Sequence, residues 1–502
     1  MNPEPPQPPP QHAKLDAEFV GGLAWTAGAK GVTQAVTWLA VLIAAHLLTP
    51  TDFGTVQIAG FIGTLTSLLA EFGIGIAVLH MLQLDRRVLA QLNTVSLVFC
   101  SAAFACSVAI APLVASFFRS VQLRMLVIVN SATFFITAAQ TVPLGLLQRD
   151  MDYRRLSLAE SISVVVQAVV TVGSAFAGLG YWSLVAGPLS GKAVGALLTA
   201  VWKPVGFAIP RWNEIRVHMR FGMEVALSRI ASTAYSQADG MIVGRIIGRS
   251  ALGSYQMAMT TASAPAEKIG QLIMRVAGPL FARIQEDRTL VRRYFLFITD
   301  ALALSIFPLV FGLAVVAPEM VQAVLGAKWT DAIRPLQWLA IFTALRTMNG
   351  LMTQVLTSLR FTTYSLWISI LSFVVMPLSF FLAAHWGTSA VAATWTLTAP
   401  LLMFPPALKL FREIKCTVWD YLRILAPALV ASTAMIVGVY ALKTWLVPGA
   451  WLPIWRLSIE VAAGGIIYGG ILYVFYRPLL TRYVQFFLRL RKNRGEALEV
   501  EV

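Results

Sequence analysis

Charged residues are scarce in this sequence. Only 13% of its 502 residues are Asp, Glu, Lys or Arg, about half the share that a water-soluble domain carries, which leaves too little polar surface to coat a soluble globule. Cysteines number three, so neither a disulfide framework nor a metal-ligand spacing can be built from them. Cys100 and Cys106 share one apolar run, Cys416 lies in a basic loop, and all three read as reduced and structural. The five histidines, His12, His46, His80, His218 and His385, are dispersed and form neither an HExxH pair nor a triad-like group. The stretch GPLSGKA at residues 187–193 is one residue short of a phosphate-binding loop and has Ala where Ser or Thr would meet magnesium. That argues against ATP hydrolysis as a driving force. No carboxylate pair reads as a glycosidase-like dyad, and no catalytic residue, cofactor or metal is expected.

What the chain has instead is apolar length. Hydrophobic residues make up 57% of it, and the mean hydropathy is +0.72. Apolar runs of about 20 residues recur, each able to cross a hydrocarbon core of about 30 Å. Lipid offers no hydrogen-bond partners, so these runs must be helices. The expected spans are 23–47, 53–79, 91–117, 126–147, 157–179 and 181–202, then 221–247, 252–276, 294–316, 333–359, 362–385 and 389–411, then 421–446 and 451–475. The fold class is therefore an all-α integral membrane protein with about fourteen transmembrane helices.

The net charge of +15 is located, not spread. Arg86 and Arg87, then Arg149, Arg154 and Arg155, then Arg283, Arg288, Arg292 and Arg293, then Arg412 and Lys415, fall in alternate loops, as do the 204–220 segment and the tail. That is the positive-inside pattern and not a nucleic-acid footprint, and it puts both termini in the cytoplasm. The expected organisation is a proline-rich disordered tail (1–20), a six-helix lobe (21–203), a cytoplasmic linker (204–220), a second six-helix lobe (221–415), two added helices (416–476) and a basic tail (477–502) whose aromatic and basic residues suit anionic headgroups. The first apolar run would serve as an uncleaved signal anchor.

An internal repeat supports the division. Placing Gly54 on Gly253 aligns HLLTPTDFGTVQIA with RIIGRSALGSYQMA. The same offset puts Lys30 on Arg229, Thr33 on Ser232, Gln34 on Thr233 and Thr37 on Ser236. Polar positions at i, i+3, i+4 and i+7 thus recur on one face of the first and seventh spans. Spans running in the same direction make parallel repeats, and each polar stripe must face away from lipid, toward a cleft between the lobes.

A charge inside the membrane costs roughly 2.5–3.5 kcal/mol even on the lenient insertion scale, so it marks a function or a partner. Lys30, Lys192, Arg229, Lys268 and Arg346 stand against Glu71, Asp239 and Glu267, with Asp300 just inside its span. Lys30 and Glu71 would satisfy each other if they met, and Arg245 and Arg275 are close enough to span ends to snorkel. The surplus of cation suits an anionic substrate, a phosphate or diphosphate above all. Candidate cavity residues are Lys30, Gln34, Thr37, Arg229, Thr233, Lys192 and Arg346; candidate ion-coupling carboxylates are Glu71, Asp239 and Glu267. Gly187, Gly191 and Gly195 form a small-residue stripe for close helix packing.

The stretch HLLTPTDFGTVQIAGFIGTLTSLLAEFGIGIAVLH, with QRDMDYRRLSLAE and GLGYWSLVAG further on, resembles the polysaccharide transporter (oligosaccharide flippase) family of the multidrug/oligosaccharidyl-lipid/polysaccharide exporter superfamily. The resemblance covers roughly residues 20 to 415 and is hydropathy alone beyond that. It implies two six-helix lobes around a cavity, often with two added helices. It also implies a substrate, an undecaprenyl-diphosphate-linked oligosaccharide turned from the cytoplasmic to the outer leaflet of the bacterial inner membrane. The task would serve surface polysaccharide, lipopolysaccharide or exopolysaccharide synthesis, beside polymerase and export machinery. Two rivals stand. A cation-coupled multidrug exporter of the same superfamily would favour an acidic cavity, and a membrane-bound glycan polymerase or ligase would carry a large outer loop.

Overall fold

The computed structural model describes residues 33–71, 74, 78, 85–211, 236–445 and 452–477. The expected N-terminal tail, residues 478–502 of the expected basic tail, Lys30, Arg229, Ser232 and Thr233 lie outside them. Every regular element among the described residues is a helix. Among the described residues nine helical stretches, two of them made of two α-helices end to end, are long and apolar enough to cross a membrane.

In chain order the helices are α1 (Thr33–Leu47), α2 (Pro50–Glu71), α3 (Arg86–Phe117), α4 (Gln122–Ser131), α5 (Thr133–Arg149), α6 (Tyr153–Phe176) and α7 (Ser183–Trp202). There follow α8 (Ala238–Ile246), α9 (Arg249–Ile284), α10 (Arg288–Met320), α11 (Ile333–Ser358), α12 (Thr362–Ala384), α13 (Thr388–Leu397), α14 (Ala399–Glu413), α15 (Val418–Trp445) and α16 (Pro453–Phe475). Two expected spans are each made of two helices, α4 with α5 and α13 with α14. The second break is at Thr398, with Pro400 in the first turn of the helix that follows, where its missing N–H costs nothing.

The arginine-rich loops begin helices with an acidic cap, satisfying N–H groups that have no partner inside the helix. Asp85 accepts from the Arg87 amide at 2.8 Å, Asp152 from the Arg155 amide at 3.1 Å, and Asp287 from the amides of Thr289 and Leu290. Before α15, Thr417 and Asp420 cap each other reciprocally at 3.0 Å. The few acids of these loops are therefore structural, and they leave the positive excess of the loops intact. Burial pushes the Cys416 thiol up, and Asp420 adds to this against an opposing pull from Arg292. Less thiolate is then present at neutral pH, so Cys416 is expected to resist maleimide labelling in the folded protein and to label fully in SDS. Rapid labelling of the folded protein would show that Cys416 is not buried.

Two compact units comprise Met1–Gly253 and Ser254–Val502. In the first, Leu92 of α3 and Val142 of α5 pack with Ile74 in a buried apolar cluster. Its linker is pinned to α3: the Asn93 amide donates to the Gly206 carbonyl at 3.2 Å, and the backbone N–H groups of Ala208 and Arg211 donate to Thr94 and Gln91. The first unit takes in α8 and the first turn of α9 because both pack on α2. Gly240 leaves room for the Phe61 ring. The two glycines aligned by the repeat meet there: a Cβ on Gly253 would overlap the Pro50 carbonyl oxygen, and one on Gly54 would overlap that of Arg249.

The second unit is centred on α10. Phe295, Leu302 and Ile306 are buried with Val355 of α11, Leu410 of α14 and Leu425 of α15. Trp395 of α13 donates its indole N–H to the Tyr255 hydroxyl of α9 at 3.1 Å, both residues buried.

Candidate functional site

A cavity of about 460 Å³ opens in the first unit between α5, α6 and α7. On α6 it is lined by Tyr153, Leu156, Ser157, Glu160, Ser163, Val164 and Gln167, which is one helical face repeating at three and four residues. Gln140, Leu144 and Gln148, at i, i+4 and i+8, complete it from α5, and Lys192 and Thr199 from α7. A membrane helix presents such a polar face to protein or to a water-filled space, not to lipid.

The glycine stripe on α7 sets the depth of this wall. A Cβ on Gly191 would stand 2.7 Å from the Ser163 carbonyl oxygen, and one on Gly187 would stand 2.8 Å from that of Gln167. The α6 and α7 backbones therefore touch, as small residues at a membrane helix interface allow. The segment resembling a damaged phosphate loop is fully helical. Its small residues serve packing, and its Lys192 is carried to the cavity wall by the same turns.

Lys192 is exposed to the cavity and has no ion pair among the described residues. Glu160 lines the same space, yet the two do not come within ion-pair distance. An ammonium here keeps its three donors for solvent or for a guest. Around it the amides of Gln140, Gln148 and Gln167 and the hydroxyls of Ser163 and Thr199 offer both donors and acceptors. Chemically, the wall can pair with an anion through one cation and hydrogen-bond to a polyhydroxylated group through the rest.

The remaining predicted residues fall as follows. Thr37 borders a separate small cavity of about 90 Å³ together with Phe53, Gln167, Thr171 and Leu184, and its hydroxyl donates to the Thr33 carbonyl at 2.8 Å. Gln167 thus borders both spaces. Gln34 is half-buried on α1. Asp239 is buried at the start of α8. Glu71 ends α2. In the second unit Arg346 of α11 and Glu267 of α9 form an ion pair at 2.8 Å, with both side chains nearly half exposed. A candidate cation and a candidate carboxylate therefore hold each other. Arg245, in the last turn of α8, lies over the Phe117 ring, 5.0 Å from its centroid.

Sequence reasoning singled out Lys192 but missed Gln140, Gln148, Glu160, Ser163 and Gln167. Glu160, Ser163 and Gln167 follow a three- and four-residue polar spacing within the fifth span, and Gln140 and Gln148 stand eight residues apart on one helical face at the end of the fourth, whereas the internal repeat points to the first and seventh. Glu319, Lys443, Arg456 and Glu460, which form a buried charged group in the second unit, were missed as well.

The chain matches the model of a family described as "Polysaccharide biosynthesis protein" over residues 43–334, more than half its length. It is 24% identical to the lipopolysaccharide biosynthesis protein WzxC of Escherichia coli over 350 residues, 67% of this chain and 69% of that one. It is 25% identical to the teichuronic acid biosynthesis protein TuaB of Bacillus subtilis, covering 66% and 70%, and 27% identical to the succinoglycan biosynthesis transport protein ExoT of Rhizobium meliloti, covering 66% and 67%. In fold it is similar to the lipid II flippase MurJ in an inward closed conformation, with a TM-score of 0.72 at 13% identity over 91% of this chain and all of that one. It is also similar to an inward-facing multidrug transporter of the MOP superfamily, with a TM-score of 0.58 at 16% identity over 77% and 96%.

Proposed function

The chain belongs to the polysaccharide biosynthesis protein family, and on that premise we propose that it is a flippase for lipid-diphosphate-linked oligosaccharide. The names of its relatives support this, since they serve lipopolysaccharide, teichuronic acid and succinoglycan synthesis. The observation that carries it in this chain is the polar wall around Lys192, which has no ion pair among the described residues. A drug exporter for organic cations would be served by acid at that position.

The glycan lies along the glutamine and hydroxyl groups of α5, α6 and α7, and Lys192 meets a phosphate oxygen. The lipid tail stays in the bilayer. Lys30 and Arg229 are further cations for the diphosphate, and Arg346 is a candidate cation of the second unit that Glu267 holds until an anion displaces it. Glu71 and Asp239 are the remaining carboxylates assigned to ion coupling. The protein has about fourteen spans, duplicated as two sets of six with two added, and lies in the bacterial inner membrane with both termini cytoplasmic. It alternates between inward- and outward-open states, needs no cofactor and catalyses no covalent step.

The test is leaflet exchange of a fluorescent undecaprenyl-diphosphate oligosaccharide in proteoliposomes. Lys192→Ala should slow exchange roughly tenfold or more, the worth of a charge-assisted hydrogen bond of about 1.5–3 kcal/mol, while Lys192→Arg retains most of it. Wild-type vesicles that leave the probe in place, or a deletion strain with altered drug tolerance and normal surface polysaccharide, would overturn the proposal in favour of drug export.

A further inference from the structure

At the end of α10 opposite its arginine-rich start, the second unit buries four charged residues from three helices. Glu319 of α10 accepts from Lys443 of α15 at 2.5 Å and from Arg456 of α16 at 3.2 Å. Lys443 also donates to the Val315 carbonyl at 2.7 Å. The fourth member, Glu460 of α16, has a side chain with no exposure at all. Its nearest charged neighbour is Lys443 at 3.7 Å, beyond hydrogen-bonding reach, and neither of its oxygens has a hydrogen-bond partner.

Two opposed demands act on that carboxyl. Ionised, Glu460 balances the group: two carboxylates against one ammonium and one guanidinium. Yet an ionised carboxylate taken from water without a single hydrogen bond is costly, and the stronger contacts of both cations are already committed to Glu319. Protonated, Glu460 loses that cost and Lys443 is left wholly to Glu319 and the Val315 carbonyl. A metal cation fits poorly beside Lys443 and Arg456, since like charges at these distances repel strongly in a low dielectric. A proton does fit, because it binds by removing the charge. The groups facing Glu460 are Glu319 from α10, Lys443 from α15 and Arg456 from its own helix, and the short helical turn Val321–Leu325 against α16 has no titratable residue.

We infer that Glu460 is a proton-binding site, and that its proton is coupled to the transport proposed above, in addition to the ion coupling assigned to Glu71 and Asp239. The coupling role rests on that reading; the binding site does not. Lys443 and Arg456 have side chains 13% and 22% exposed, so the group is reached from outside the packed unit, near the ends of α15 and α16. Gain of a proton at Glu460 transfers the pull of Lys443 from α16 to α10. It thereby changes how firmly α16 is held.

The full chain in phosphatidylethanolamine–phosphatidylglycerol nanodiscs is examined by pH-difference infrared spectroscopy. Wild type should show a protonated-carboxyl C=O band that disappears as the pH is raised, and Glu460→Gln should lack it. A wild-type spectrum with no titrating band, or a band that persists in Glu460→Gln, overturns the site. Loss of the band on adding sodium at fixed pH overturns the proton in favour of a metal cation. In proteoliposomes an inward proton gradient should accelerate oligosaccharide exchange in wild type and not in Glu460→Gln. Equal acceleration in both overturns the coupling role. A titrating Glu460 in a protein that moves no oligosaccharide upholds the site and removes the flippase reading.

Discussion

Gly253→Ala is expected to remove most of the folded protein. The crossing of α2 with the start of α9 is backbone on backbone: a Cβ on Gly253 would overlap the Pro50 carbonyl oxygen and stand 3.0 Å from the Gly54 amide nitrogen. A rotamer change relieves an overpacked side chain, but here only movement of one helix away from the other makes room. Overpacking usually costs 1–3 kcal/mol, and this site belongs at the upper end, about 3 kcal/mol. Gly54→Ala meets the reciprocal obstacle at the Arg249 carbonyl and should behave alike. The control is Gly465→Ala in α16, where a Cβ has nothing within 4 Å and alanine favours the helix by up to about 1 kcal/mol. Fluorescence-detected size exclusion and thermal melting read the outcome. A Gly253→Ala protein that elutes and melts like wild type would mean that the two helices do not touch at this point.

Glu319→Ala should destabilise the second unit by about 3–5 kcal/mol, the cost of breaking a buried ion pair by removing one partner. Glu319 is the acceptor for both cations of its group, and all the side chains concerned are less than a third exposed. Without it Lys443 retains the Val315 carbonyl and the more distant Glu460, and Arg456 loses its carboxylate. The double variant Glu319→Met with Lys443→Met should recover a large part of the loss, since replacing both members by apolar groups of similar size is often neutral. Melting temperatures of the single and double variants, arranged as a double-mutant cycle, measure the coupling. If the losses simply add, the ion pair does not hold α10 to α15.

How far each feature could be read in advance depends on its range along the chain. Helix and span are local: in lipid each apolar run must satisfy its own backbone, so runs of sufficient length and apolar content predict helices, as in α3 or α15. The glycine stripe of α7 was legible for a similar reason, because small residues at every fourth position have one use on a membrane helix. Lys192 was legible as a charge far from any span end. Glu319 was not: the expected span stopped at 316, whereas α10 continues to Met320 and brings the carboxylate under α15 and α16. Lys443 falls at the end of the expected span 421–446, where the sequence gives no sign of its partners. Arg346 and Glu267 read as separate candidates, one for substrate and one for an ion, and the fold makes them a pair.

The sequence by itself thus determined an all-helical membrane protein, the polar and small faces of single helices, and membership of its family. Tertiary structure alone decided that Gln140, Glu160 and Lys192 share one cavity, that Gly54 and Gly253 cross, and that Glu460 is buried with no hydrogen bond to its carboxyl. The period of a helix says which residues share its face. Which face meets which neighbour, and at what height, depends on the rotation and axial shift of every helix in the packed unit, and residue spacing does not encode those.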